Sequence, residues 1–200
     1  MVDKRRQVSG NQRQKIIATA SRLMSQKGYR GTSLQELADR VRISKSTLFH
    51  YFKNKEEILL EVLKISLEEV TGNLDRIVND PATSSELKLK LAISNHLALL
   101  TKYNYNVNVY LSDIRYLSPK KKREYLRLRK TYEFLFEQII KGMQETDYRN
   151  FEAMDSKIIT FAILGMCNWV SRWFKKGGTF EIQDISDTFF KLIIQRDYQR

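Results

Sequence analysis

The sequence predicts an all-α fold in two parts: an N-terminal three-helix unit containing a helix-turn-helix, then a larger helical body, about nine helices in total. Three observations carry this. Apolar residues recur at spacings of three and four along most of the chain. Hydroxyl or Asn residues followed three positions later by Gln or Glu mark helix starts in close succession. The two prolines, Pro81 and Pro119, both fall where a helix is expected to break.

Residues 1–10 carry Lys4, Arg5 and Arg6 without an apolar period, and read as a mobile basic arm. Ile16, Ile17, Ala20, Leu23 and Met24 set the face of a first helix over about 11–27, which Gly28 ends. Thr32 with Gln35 forms a capping box for a second helix, with Leu34, Leu37, Ala38 and Val41 facing inward. Ser44 caps a short third helix in which Leu48 and Phe52 share one side. Asn54 with Glu57 opens a long fourth helix, and Thr83 with Glu86 a fifth that runs through Leu87, Leu91, Leu97 and Leu100. Tyr103 to Tyr110 alternates with period two, yet no strand partner is evident, so it is assigned to a helix junction and a short irregular helix. Ser118 and Pro119 start a basic helix to about Glu145. Asp155 starts a strongly apolar helix through Trp173, and a last helix spans about 181–196. The domain boundary is expected after residue 53, with the body over 54–200.

Charge is unevenly placed. Residues 1–55 hold thirteen Lys/Arg against three Asp/Glu, whereas the remaining residues hold twenty-two against twenty. A polyanion held by the first quarter of the chain follows. The single cysteine, Cys167, cannot close an intramolecular disulfide, and the chain starts without a signal-peptide-like apolar run, so a cytoplasmic location is expected. No apolar run reaches the roughly 18 residues that span a bilayer, so no membrane partner is expected. With two histidines and one cysteine there is no metal-ligand cluster, and no nucleophile–base set or phosphate loop that would mark an enzyme. No cofactor is expected.

The stretch from Thr32 to Lys55 spends its second helix on Ser44, Lys45, Ser46, Thr47 and His50, where a core helix would be apolar. Small residues at the front of a recognition helix let the backbone approach bases in the major groove, and hydroxyls bond phosphates or base edges. Lys45 is the leading base reader, Thr32 and Ser33 at a helix start suit a phosphate, and Lys53 and Lys55 flank the helix toward the DNA backbone. Phe49 and Tyr51 read either as core aromatics or as contacts.

The run from Lys27 to Leu63 resembles the DNA-binding domain of the TetR family of bacterial transcriptional repressors. The resemblance rests on Gly28-Tyr29 ahead of Thr32-Ser33, on Ile43-Ser44 ahead of Leu48-Phe49-His50-Tyr51-Phe52, and on Asn54-Lys55-Glu56-Glu57. It implies DNA contacts at Ser44, Lys45, Ser46, Thr47, Phe49, His50 and Tyr51, a phosphate at Thr32 and Ser33, and a backbone contact at Lys55. Arg42 stands where many members have the turn glycine and Ser46 where they often have Gly. Arg42 therefore implies a turn that tolerates a side chain or is strained, and adds a cation near the duplex.

The resemblance also implies a homodimer paired through the last two helices, a double-stranded DNA operator as partner, and a ligand pocket in the helices between. Ala162 to Ile193 resembles the subgroup that controls fatty-acid and sterol breakdown and responds to acyl-CoA thioesters, so a small hydrophobic effector is expected. Leu97, Leu100, Tyr103, Tyr110, Phe134, Trp169 and Trp173 are candidates for an apolar tunnel. Arg172, Lys175, Lys176 and the run Lys120, Lys121, Lys122, Arg123 and Arg127 are candidates for its phosphates. Aromatics at helical spacing also suit a plain core, and basic runs a solvated face. The rival readings are a sequence-independent architectural or membrane-surface protein and an enzyme with a basic extension.

Overall fold

The computed structural model describes residues 2–103, 109, 112–146, 151 and 153–194, with side chains described from residue 10 onward. Among them there are eight α-helices, one 3-10 turn and no strand. The helices are α1 (Val2–Gly31), α2 (Leu34–Val41), α3 (Lys45–Tyr51), α4 (Lys55–Val78), α5 (Ser85–Lys102), α6 (Pro119–Glu145), α7 (Ser156–Trp173) and α8 (Ile182–Ile194), with the 3-10 turn at Ile114–Tyr116. The irregular segment expected over Tyr103 to Tyr110 falls largely outside the described residues.

Two compact units emerge: Met1–Ser66 with Tyr105–Arg127, and Leu67–Asn104 with Leu128–Arg200. They do not follow a single break after residue 53, because α4 and α6 each contribute to both units. The charge asymmetry becomes complete on this division. The first unit holds twenty Lys/Arg against eight Asp/Glu and the second fifteen against fifteen, so the whole net charge of +12 lies in the first.

In the first unit Ile16, Ile17, Ala20, Leu23 and Met24 of α1 are buried, as are Leu37, Ala38 and Val41 of α2, Leu48 and Phe52 at α3, and Ile58, Leu59 and Leu63 of α4. This is the face that the periodicity marks. The α1 backbone is helical from Val2, ahead of the start expected near residue 11 and in place of a wholly non-helical arm. The good helix formers Lys4, Arg5, Arg6 and Gln7 suit that path. The helix breaks at Gly28, whose φ of 73° is open to glycine at no steric cost.

Two caps lie one residue later than expected. Ser33, not Thr32, caps α2 by accepting the Glu36 N–H at 3.0 Å, because the Thr32 hydroxyl donates to the Gly28 carbonyl at 3.0 Å. Likewise Ser84 accepts from Leu87 N–H at the start of α5, while the Thr83 hydroxyl donates to Asp80 Oδ2. Ser44, Asn54 and Asp155 cap α3, α4 and α7 as expected.

The second unit is built on Val70, Leu74, Leu89, Ile93, Leu97, Tyr132, Phe136, Ile140, Ile163, Cys167 and Phe190, drawn from α4 to α8. A Cβ on Gly142 would sit 3.0 Å from Ser85 Oγ, so glycine there permits the close approach of α6 to α5.

Candidate nucleic-acid interface

The recognition pair is assembled by its turn. Leaving α2, Arg42 takes φ 62° and ψ 50°, the left-handed conformation that a glycine would fill without strain, and its N–H donates to Asp39 O while Ile43 N–H donates to Ala38 O. The side chain is tolerated at a conformational cost of about 1–2 kcal/mol for an L-residue. Arg42→Gly is therefore expected to raise stability by about 0.5–1 kcal/mol, after the greater chain entropy of glycine offsets part of the relief. A urea midpoint unchanged from wild type would show that the turn carries no strain.

At α3, Ser44 Oγ accepts the Thr47 N–H at 3.0 Å and lies 2.7 Å from Ser46 Oγ and 2.8 Å from Thr47 Oγ1. Ser44, Lys45, Ser46, Phe49 and His50 are exposed, Thr47 and Tyr51 half-buried. Of the two aromatics that the sequence leaves open, Phe49 keeps 45% of its surface exposed on the outer face and Tyr51 is half-buried, while Phe52 is buried under the pair as its spacing with Leu48 predicts. Arg13 of α1 stacks over Phe52 with its guanidinium 5.0 Å from the ring centre.

The flanking residues behave differently. Ser33 and Lys53 are exposed, but Thr32 is buried and spends its hydroxyl inward, so it seats α2 instead of facing a phosphate. Lys55 also turns inward. Its ammonium donates to Tyr29 O and to Thr32 O, both at 2.8 Å, and sits 4.3 Å from the Tyr29 ring centre. Desolvation pulls its pKa down, against the attraction of Asp113. A cation held by two carbonyls clamps the α1–α2 connection, at a position where the sequence expects a DNA-backbone contact.

The other side of that clamp is invisible to local sequence patterns. Buried Asp113 accepts the Tyr29 N–H at 2.8 Å, with its pKa raised by desolvation. Tyr116 stacks on Tyr29 at 5.2 Å, and Arg30 lies over the Tyr116 ring. Glu56 accepts the Ser118 N–H at 2.7 Å and pairs with Lys121 at 3.3 Å, contacts that hold its carboxyl below the usual range. Residues 112–121, assigned to the body from sequence, thus brace the unit that carries α3.

Residues 16–62 match the family model described as bacterial regulatory proteins, tetR family, and residues 82–196 match the tetracyclin repressor-like C-terminal domain. The chain belongs to the TetR family. It is similar to the fatty acid metabolism regulator protein of Bacillus subtilis (strain 168), at 23% identity over 181 residues covering 90% of this chain and 92% of that one. Among solved structures it resembles the TetR family transcriptional regulator PfmR from Thermus thermophilus, with 26% identity and a TM-score of 0.82 over 92% of this chain and 99% of the other. It also shares the fold of AibR, solved in complex with isovaleryl coenzyme A and operator DNA, with 24% identity and a TM-score of 0.79 over 90% and 97% of the two chains.

For this TetR-family chain the tunnel candidates among the described residues divide between the core and the surface. Leu97 is fully buried and Leu100 packs on the same core. The Tyr103 hydroxyl donates to Glu69 Oε2 at 2.5 Å, and Tyr110 lies outside the described residues. Phe134, Trp169 and Trp173 are 55%, 65% and 42% exposed. Their outward placement follows from phase: with Tyr132 and Phe136 buried one turn apart, position 134 lies across the helix, and with Cys167 and Val170 buried, positions 169 and 173 turn away. Arg172, Lys175 and Lys176 are all exposed. What does converge inside is polar. His96 of α5, half-buried, accepts the Tyr132 hydroxyl at Nδ1 (2.7 Å) and donates from Nε2 to Asn168 Oδ1 (3.2 Å), joining α5, α6 and α7. Desolvation drives the imidazole down to about 4, so it is neutral at pH 7. From sequence, a lone histidine on an apolar helix gives little warning of this link.

Proposed function

We propose that this TetR-family regulator is a ligand-responsive repressor that binds a palindromic operator as a homodimer and is released by a hydrophobic effector, a long-chain acyl-CoA thioester. The observation that carries the reading is the exposed Ser44–His50 face on a helix-turn-helix whose unit holds the entire net charge. A homodimer is supported by α7, where Ile158, Phe161, Trp169 and Trp173 are exposed on one stripe with Gly165 at its middle, room for a second helix to approach. An open apolar groove of about 450 Å³ beside it, lined by Met154, Ile158, Ala162 and Ile193 among others, extends that surface. The effector class is supported by the relative named for fatty acid metabolism and by the coenzyme A thioester in the AibR complex. A cytoplasmic location accords with this role, and none of the described helices is long and apolar enough to cross a membrane.

Selection of bound sequences from random duplexes tests the reading. Expected are inverted half-sites separated by one helical turn, about 34–36 Å, or a multiple of it. Lys45→Ala is expected to bind selected and random duplexes with more nearly equal affinity, and palmitoyl-CoA to release the selected duplex. Equal binding of selected and random DNA by the wild type would instead favour a sequence-independent architectural protein, and a chain-length series without effect on DNA affinity would remove the acyl-CoA.

A further inference from the structure

The run Lys120, Lys121, Lys122 and Arg123 opens α6, and on sequence grounds it is a candidate for holding the phosphates of an effector. Its position points elsewhere. These residues belong to the compact unit of the helix-turn-helix, not to the electroneutral unit built on α5, α7 and α8. Lys121 is tied to the start of α4: its ammonium lies 3.3 Å from Asn54 Oδ1 and 3.3 Å from Glu56 Oε2. Asn54 is the cap of α4 and follows exposed Lys53, the flanking cation that remains available once Lys55 has turned inward. Lys120, Lys122 and Arg123 are exposed and have no carboxylate partner among the described residues. They do not serve their own helix, because cations in a first turn oppose the helix dipole by about 0.3–1 kcal/mol each.

We infer that the first turn of α6 is a second DNA-backbone contact, in which Lys120, Lys122 and Arg123, continuous with Lys53, hold phosphates of duplex flanking the sequence read by α3. Lys121 is the positioning residue, since its ties to Asn54 and Glu56 fix this turn beside the α4 cap. The contact reads no bases. It adds affinity on any sequence and lengthens the footprint.

The inference rests on the DNA-binding reading, and the experiment separates the two. The wild-type chain and the Lys120→Gln/Lys122→Gln/Arg123→Gln variant are titrated against a selected duplex and a random duplex between about 50 and 200 mM salt. Each duplex is used with and without about six flanking base pairs at either end. Each neutralised phosphate contributes about 0.9 to the slope of log K against log salt. The variant is expected to lose about two to three units of slope and at least about tenfold in affinity on both long duplexes, to bind the trimmed duplexes as the wild type does, and to melt no lower than the wild type, since the helix dipole is relieved of opposing charge. A variant with wild-type slope and length dependence overturns the inference. So does one that keeps wild-type DNA binding but loses palmitoyl-CoA binding, which would make the run an effector-phosphate seat. A wild type that binds none of the duplexes overturns the DNA-binding reading itself.

Discussion

Lys55→Met is expected to destabilise the N-terminal unit by about 3 kcal/mol while leaving the salt dependence of DNA binding unchanged. The methionine keeps most of the stem and its packing on Tyr29, but removes two 2.8 Å hydrogen bonds from the ammonium to Tyr29 O and Thr32 O. Hydrogen bonds to charged groups contribute about 1.5–3 kcal/mol each, and a pair sharing one donor falls short of the sum. The Thr32 carbonyl would also lose this donor, and Tyr29 O would keep the Thr32 N–H at 3.3 Å, at the connection that seats α2. Urea unfolding gives the stability and gel-shift titration below the transition gives the slope. A slope lower by about one unit with normal stability would show that Lys55 reaches a phosphate after all, against the clamp geometry.

Acidification from pH 7 to 4.5 is expected to cost the second unit up to about 2.5 kcal/mol through His96. The imidazole titrates at about 4 in the fold against 6.5 in a free chain, because desolvation opposes its charge more than the Asn168 contact supports it. The folded state therefore binds fewer protons than the unfolded state between these values. Stability is full above 6.5, declines as pH falls through the unfolded pKa, and levels off near 4. At about 1.36 kcal/mol per unit, the interval from 6.5 down to 4.5 gives that magnitude. Carboxylates also respond to acid, so the measured quantity is the difference in unfolding free energy between wild type and His96→Gln across pH 4–7. A pH-independent difference would mean that the imidazole is solvated or accepts its proton in place.

How far the sequence reaches can be judged from these same residues. The three-helix order, the α4 cap at Asn54 and the division between Phe52 and the Ser44–His50 face follow from spacing and capping, because each depends on residues three or four positions apart. The choice between Thr32 and Ser33, or Thr83 and Ser84, does not. Two adjacent hydroxyls satisfy the same local pattern, and the contest is settled by whether Gly28 O or Asp80 Oδ2 captures the first of them. The tunnel aromatics are a related case: Phe134, Trp169 and Trp173 are selected by residue type, whereas their exposure is set by the phase of Tyr132, Phe136, Cys167 and Val170. The Asp113–Tyr29 bond spans 84 residues, and no periodicity announces it.

Cys167 gives the second unit a native clock. Its thiol is fully buried among the core side chains and pushed up to about 12, and it is the sole cysteine of the chain. A thiol-specific reagent can reach it only when that core opens, so the labelling rate of the unmodified protein measures the population of the open form wherever reclosing outpaces the reaction. The wild-type chain thereby carries its own probe of how strongly any ligand tightens the interior of this unit, with no engineered label and no knowledge of where that ligand sits.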